Sequence, residues 1–233
     1  RVEEGQAMLR QAISLEPAEC YYYGWLGWSL YRQSEDYAEA EKVLEQAVRL
    51  WPEYQWAHFH LGFVRYALED RPRKAEQAFL RALELEPDDV PTLYNLACLY
   101  EEQLGSPRKA LRYFAAVLAQ DAKDPAPFKR MGVLYHQSLS EPEEAVSCFM
   151  QAVERDPDDY DLRVRFAWVL WEKHGQPEAA MEHLQKAIEL SPGNAWVLTH
   201  MAQARYLGFE DIAGAKQYFE QALAADPSYD WAY

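Results

Sequence analysis

The stretch MGVLYHQSLSEPEEAVSCFMQAVERDP, from Met131 to Pro157, decides the fold. Met131-Gly132 and Tyr135 mark one apolar stripe, and thirteen residues after Gly132 a second begins at Ala145, continues through Phe149 and Ala152, and stops at Pro157. Spacings of four, three and five read as one helical face that a proline closes. Outward from this stretch the same signals return every 35 residues. Prolines stand at Pro17, Pro52, Pro87, Pro157, Pro192 and Pro227, and Ala122 fills the one gap in that series. Small residues recur at Gly5, Ala40, Ala75, Ala110, Ala145, Ala180 and Ala215, with large apolar partners four residues on: Leu9, Leu44, Phe79, Phe114, Phe149, Leu184 and Phe219. The upstream stripe has its own small column at Gly27, Gly62, Ala97, Gly132, Ala167 and Ala202. Each of these follows a large apolar residue: Leu26, Leu61, Leu96, Met131, Phe166 or Met201.

The physical reading is one pair of antiparallel helices, A and B, per period. Small residues let the two backbones approach, large neighbours fill the space around them, and proline stops helix B. Segments such as Glu86-Pro87-Asp88-Asp89 and Asp156-Pro157-Asp158-Asp159 supply a turn and then an acid to cap the next helix A. Neither helix buries its apolar face alone, so pairs must stack into an open array.

This pattern resembles the tetratricopeptide repeat, whose consensus runs W-x-x-L-G-x-x-Y, then A-x-x-x-F-x-x-A, then Pro. Leu96-Ala97-Cys98-Leu99-Tyr100 with Ala110, Phe114 and Val117 carries the resemblance, as does Met131-Gly132 to Tyr135 with Ala145, Phe149 and Ala152. The resemblance implies an all-α, right-handed superhelical solenoid. Its expected organisation is a helix B of a truncated repeat at 1–18, six repeats at 19–53, 54–88, 89–123, 124–158, 159–193 and 194–228, and the start of another at 229–233, as one continuous solenoid domain. There is one departure. The family unit has 34 residues, and here the step from the helix A small residue to the helix B alanine, as from Gly62 to Ala75, is thirteen instead of twelve. The additional residue falls in the turn from A to B, in stretches like Leu104-Gly105-Ser106-Pro107, where loop insertions are tolerated. Pentatricopeptide repeats share the 35-residue length but read RNA and are generally basic. Half-a-TPR repeats share an aromatic helix A, as in Trp168-Val169-Leu170-Trp171, but fit the helix B alanine column less well. Neither end of the array carries a polar capping helix, which reads as a piece of a longer protein.

Composition narrows the class of work. Among 233 residues, 23 Lys and Arg against 38 Asp and Glu give a net charge of −15, which disfavours nucleic acid and anionic membrane surfaces as partners. At 49% hydrophobic and 14% aromatic, the chain has the apolar material for a folded core. No run approaches the length of a membrane span, and the first residues do not form a signal peptide. Cys20, Cys98 and Cys148 are widely spaced with no C-x-x-C pair, which fits a reducing compartment such as the cytoplasm.

In arrays of this kind helix A lines the concave surface, so the helix A positions facing away from helix B are the candidate groove. Relative to the small residue, the column one residue on includes Trp28, Phe63 and Trp168, and the column four on includes Tyr31, Tyr66, His136, Trp171 and Tyr206. Three residues before it stand Phe59, Tyr94 and Lys129. Aromatic side chains give contact area at low entropy cost, which suits a peptide site; the bland alternative is that these rings pack on one another as core. Cations give a second signal. Lys129, Arg130, Arg163 and Arg165 fall on adjacent helices A, with His136, His200 and the aromatics Trp168 and Trp171 close by, a patch that would attract an acidic or aromatic segment, unless the acids Asp158, Asp159 and Asp161 pair with it. A clamp for chaperone tails would need Asn after Lys129, where Val133 stands.

Catalytic constellations are poor. His58 and His60 are two apart and diverge on a helix, reading as surface histidines without a metal role. Asp156, Asp158 and Asp161 lack the glycine and glutamate of a calcium loop and read as capping residues. Cys98 reads as a small apolar residue, and Arg65 and Arg205, in place of the helix A tyrosine, have no account in the pattern. The sequence therefore points to a scaffold with no enzymatic activity and no cofactor, holding a peptide or helix of another protein. The alternatives are a regulatory or spacer arm of a larger enzyme or receptor, and self-association through uncapped ends.

Overall fold

A computed structural model describes residues 2–229, with the side chains of residues 173 and 174 set aside; the expected start of a further helix at 230–233 lies outside the described residues. Thirteen α-helices follow one another in that span, and no strand occurs among the described residues. Two compact units divide the chain, Arg1–Ala122 and Lys123–Tyr233.

The first unit opens with α1 (Val2–Leu15) and then holds three pairs: α2 (Cys20–Ser29) with α3 (Tyr37–Leu50), α4 (Gln55–Leu68) with α5 (Pro72–Leu85), and α6 (Val90–Glu102) with α7 (Pro107–Gln120). The second holds α8 (Pro125–Val133) with α9 (Pro142–Arg155), α10 (Tyr160–His174) with α11 (Pro177–Leu190), and α12 (Ala195–Phe209) with α13 (Ile212–Ala225). Both units are all-α stacks of helix pairs, as the periodicity predicts.

Each pair is locked where its small residues meet large ones. Ala40, Ala75, Ala110, Ala145 and Ala180 are fully buried, as are the side chains of Leu44, Phe79 and Phe114 that lie one turn on. Burying such a side chain contributes on the order of 1.5–3 kcal/mol relative to leaving it in water. The crossing is close: a methyl group placed on Gly62 would come within 2.6 Å of the Phe79 ring, and one on Gly132 within 2.8 Å of the Phe149 ring.

Helix stops follow from local backbone chemistry. The last residues of α1, α3, α5, α7, α9, α11 and α13 fall 35 apart. From α3 on, the residue that follows each of these helices leaves the helical region and gives its N–H to the carbonyl four residues back, as the extended Glu86 does to Ala82 at 2.9 Å. Proline enforces this, because the residue before it is driven out of the helical region. Asp121 adopts the same extended backbone before Ala122, so the one proline-free junction keeps the stop. Helix A is then capped in a column: Asp89, Asp124 and Asp159 each accept a backbone N–H at 2.9 Å, and Asn194 accepts two. Helix B starts in one of two ways. Four begin with proline at the first turn, which has no N–H to satisfy, whereas α3 and α13 have none and are capped by Asp36 and Asp211.

The additional residue of the 35-residue period lies in the turn from A to B, as the spacing predicts, and the structure gives it a form. In five of the six turns a backbone N–H reaches back six residues: Asp36 to Leu30, Ser106 to Tyr100, Glu141 to Tyr135, Gln176 to Leu170 and Asp211 to Arg205, at 2.8–3.2 Å. A Schellman cap spans one residue fewer. Helix A thus ends in a turn widened by one residue, drawn out into π-helix at Leu30–Ser34 and Leu134–Leu139. The residue before the bonding N–H is left-handed in every case: Glu35, Gly105, Ser140, Gly175 and Glu210. The turn after α4 differs, with Glu69 left-handed one position earlier and bonded to Tyr66.

Candidate functional site

In the first unit the expected groove residues stand on α2, α4 and α6. Trp28, Tyr31, Phe59, Phe63, Tyr66 and Tyr94 are all half-buried. Four of them form a connected layer: Trp28 stacks on Tyr31 at 5.5 Å, Tyr31 meets Phe63 edge-on at 5.3 Å, and Phe59 lies 6.1 Å from both Phe63 and Phe79; Tyr94 packs on Phe114. These rings serve as core on one side and surface on the other. Trp25, half exposed, adds to them, lying 5.2 Å from Trp56.

His60 is not the surface histidine that the sequence suggested. It is only 6% exposed, with its ring 3.7 Å from Trp56 and 4.3 Å from Trp28. Its Nδ1 lies 2.8 Å from the Trp56 carbonyl, which can only accept, so the proton is on Nδ1. Burial pushes its pKa down to about 4, against the partial help of that carbonyl. His58 points elsewhere, its Nε2 on the Pro52 carbonyl at 3.0 Å.

Arg65 has a structural role. Its Nε and one terminal nitrogen bond Glu41 and Glu45 of α3 at 2.8 and 2.7 Å, tying α4 to the preceding helix B. One period later Tyr100 donates to Glu76 at 2.5 Å in the same register. Burial works against the Glu76 carboxylate, but bonds from Tyr100 and Arg73 outweigh it and hold the carboxyl below its usual range. Cys98, Glu101 and Glu102 on α6 bring their ligand atoms within 4.8 Å of one another, a grouping that sequence reading missed although the spacing of three and four residues is helical. Cys98 itself is buried, and the Tyr66 hydroxyl donates to Glu102.

In the second unit a cleft of about 300 Å³ opens on α8, α10 and α12, lined by His136, Arg165, Trp168, Trp196 and His200 over a floor including Val133 and Val164. Three of the expected residues therefore share it. Trp171 lies beside Trp168 at 6.0 Å, Tyr206 is more than half exposed, and Arg130 is half-buried on α8. The cations are largely answered by acids, as the alternative reading anticipated. Lys129 lies 2.7 Å from both Asp159 and Asp161, and Arg165 Nε donates to Asp161 at 2.9 Å. Burial disfavours the Asp161 carboxylate, yet Arg165 and Lys129 hold its pKa below the ordinary value. Asp159 is the cap of α10, whereas Asp161 belongs to this ion cluster. His136 donates Nε2 to Glu172 at 3.1 Å. Arg163 turns away, bonding the Pro157 carbonyl at 2.8 Å, and Arg205 pairs with Asp211 at 2.7 Å and lies over the Tyr218 ring.

His200 repeats His60 four periods on. Its Nδ1 bonds the Trp196 carbonyl at 2.8 Å, and Trp196 and Trp168 flank it as Trp56 and Trp28 flank His60. The second cradle is wider, with ring separations of 4.7 and 5.9 Å. Where Phe59 and Phe63 close the first cradle, Thr199 and Gln203 stand in the second.

The sequence matches the tetratricopeptide repeat family over residues 31–97 in one description and over 1–54 and 131–195 in another, the latter alone spanning more than half of the chain. Curated protein sequences give no match. Among solved structures, the C-terminal part of a TPR repeat-containing protein from Cytophaga hutchinsonii is 18% identical, with a TM-score of 0.81 over 99% of this chain and 93% of that one. Pseudomonas aeruginosa pilF is 21% identical, with a TM-score of 0.70 over 98% and 96%. YrrB, described as a TPR protein with an unusual peptide-binding site, is 19% identical, with a TM-score of 0.66 over 82% and 96%. At these identities the likeness is one of fold. The register of small residues at each helix crossing and the family match over most of its length lead to one conclusion: this chain belongs to the tetratricopeptide repeat family.

Proposed function

We propose that the chain is a non-catalytic interaction scaffold that holds a segment of a partner protein against its A helices. The fold is one suggestive of protein–protein interaction scaffolds, and no helix among the described residues is long and apolar enough to cross a membrane. The observation that carries the reading is the second unit's cleft, where Trp168, Trp196, His200 and Arg165 converge on open space. Large rings with a few polar groups at a concave site are the usual make-up of a recognition surface. Of the two partner chemistries that the sequence raises, the ion pairs favour the aromatic one. Lys129 and Arg165 already face Asp159 and Asp161, which leaves little net charge for an acidic segment.

The test is a peptide-display selection on the chain beside an Arg165→Glu, Trp168→Ala double variant whose fold is verified by circular dichroism. A motif enriched on the wild type and lost on the variant supports the site. Equal enrichment on both, or none on either, removes it.

A further inference from the structure

The two tryptophan–histidine cradles differ in one respect that carries chemical information: one is filled and the other is open. In the first unit Trp28 and Trp56 close on His60, with Phe59 and Phe63 behind them, and the imidazole is buried. In the second unit the same residue types stand apart, and His200 lines a cleft of about 300 Å³. Because Nδ1 of His200 is committed as a donor to the Trp196 carbonyl, Nε2 is left with a lone pair, and it has no partner among the described residues. Arg165, on the same cleft, uses only Nε, toward Asp161, so its terminal nitrogens remain as donors. A ligand group here must therefore offer both a donor and an acceptor. A carboxylate would set its lone pairs against that of His200 and lie near Asp161. A cation would meet Arg165. A phenol satisfies both partners, and its ring suits walls made of Trp168 and Trp196.

We propose that this cleft takes a tyrosine side chain of a partner segment, its hydroxyl donating to His200 Nε2 and accepting from the Arg165 guanidinium. This deepens the reading of the cleft as a recognition site and rests on it. Sites built to bond a hydroxyl reject the analogue without it, because their own polar groups are then left unpaired.

The experiment titrates the ¹⁵N-labelled chain with three blocked pentapeptides, alike except for a central tyrosine, O-methyltyrosine or phenylalanine, following the His200 and Trp168 signals. Tyrosine should bind about tenfold more tightly than either analogue, the size of one such hydrogen bond. In His200→Phe, which keeps a ring in the wall, tyrosine and O-methyltyrosine should become equal. In Arg165→Met, with the fold checked by circular dichroism, tyrosine should keep its advantage over O-methyltyrosine while its affinity falls. Equal binding of all three peptides by the wild type overturns the proposal. If display selection yields segments that need Trp168 but carry no tyrosine, this inference fails and the scaffold reading stands; if no probe and no displayed segment binds, both fail.

Discussion

Arg65 on α4 reaches Glu41 on α3 with its Nε at 2.8 Å, and both side chains are only 12% exposed. Removing Arg65 leaves the Glu41 charge in a largely dry environment with only the more distant Arg71 at 3.9 Å, which costs more than the pair contributes. Arg65→Leu should therefore lower stability by about 3 kcal/mol, while the double change with Glu41→Leu should recover most of it. Urea unfolding of both variants is the measurement; a double variant as unstable as the single one would show that Arg65 acts through packing instead.

Histidines that partial or full burial holds neutral make the protein sensitive to mild acid. The folded-state pKa of His60 is pushed down to about 4, and those of His58, His183 and His200 are also lowered, in each case chiefly by burial. The unfolded chain thus binds more protons than the folded one between the ordinary histidine value and these depressed values. The contribution of these histidines to stability is full above about pH 6.5 and is lost as the pH drops toward 4. His60 alone should contribute about 2–3 kcal/mol to that fall. His60→Phe should flatten the slope of unfolding free energy against pH over this window, and an unchanged slope would assign the acid sensitivity to other groups.

The widened turns place Glu35, Ser140 and Glu210 in left-handed backbone, where side chains other than glycine are strained. Ser140→Gly and Glu210→Gly should each raise stability by roughly 0.5–1 kcal/mol, and Gly175→Ala should lower it by about as much. Differential scanning calorimetry reads all three. Opposite signs at Ser140 and Gly175 are the required result, since the two residues occupy the same place in successive turns.

The helices were legible because their signals are local. Proline and the extended residue before it, small residues at the crossing, and aspartates at the caps act within one turn of chain. The turn from A to B was legible in position but not in form: Glu35, Gly105, Ser140 and Gly175 share a backbone shape and no chemistry, since a bond six residues back involves only the main chain. Arg65 had no visible partner because Glu41 lies 24 residues earlier on another helix. The cradles show the same limit at the site. Trp28 with His60 and Trp168 with His200 are alike in type and spacing, and what fills one and opens the other is a third set of residues, Phe59 and Phe63 against Thr199 and Gln203.

The charge of the second cleft depends on Asp161, which faces Lys129 at 2.7 Å and Arg165 at 2.9 Å while Asp159 also faces Lys129. Two cations against two carboxylates give a cluster that is neutral at pH 7, so the cleft has no electrostatic reason to choose an anion. Asp161→Asn changes that balance to one net positive charge while keeping the side chain's shape and its capacity to accept from Arg165. A peptide ending in a free carboxylate should then bind about tenfold more tightly than to the wild type, and that gain should shrink as salt is raised. The amidated peptide should bind both proteins alike, because it brings no charge to the cluster. Fluorescence titration of the cleft tryptophans with the two peptides, at low and high salt, separates the cases. A gain that appears equally for the amidated peptide, or that ignores salt, would mean that Asp161 shapes the cleft by position and not by charge.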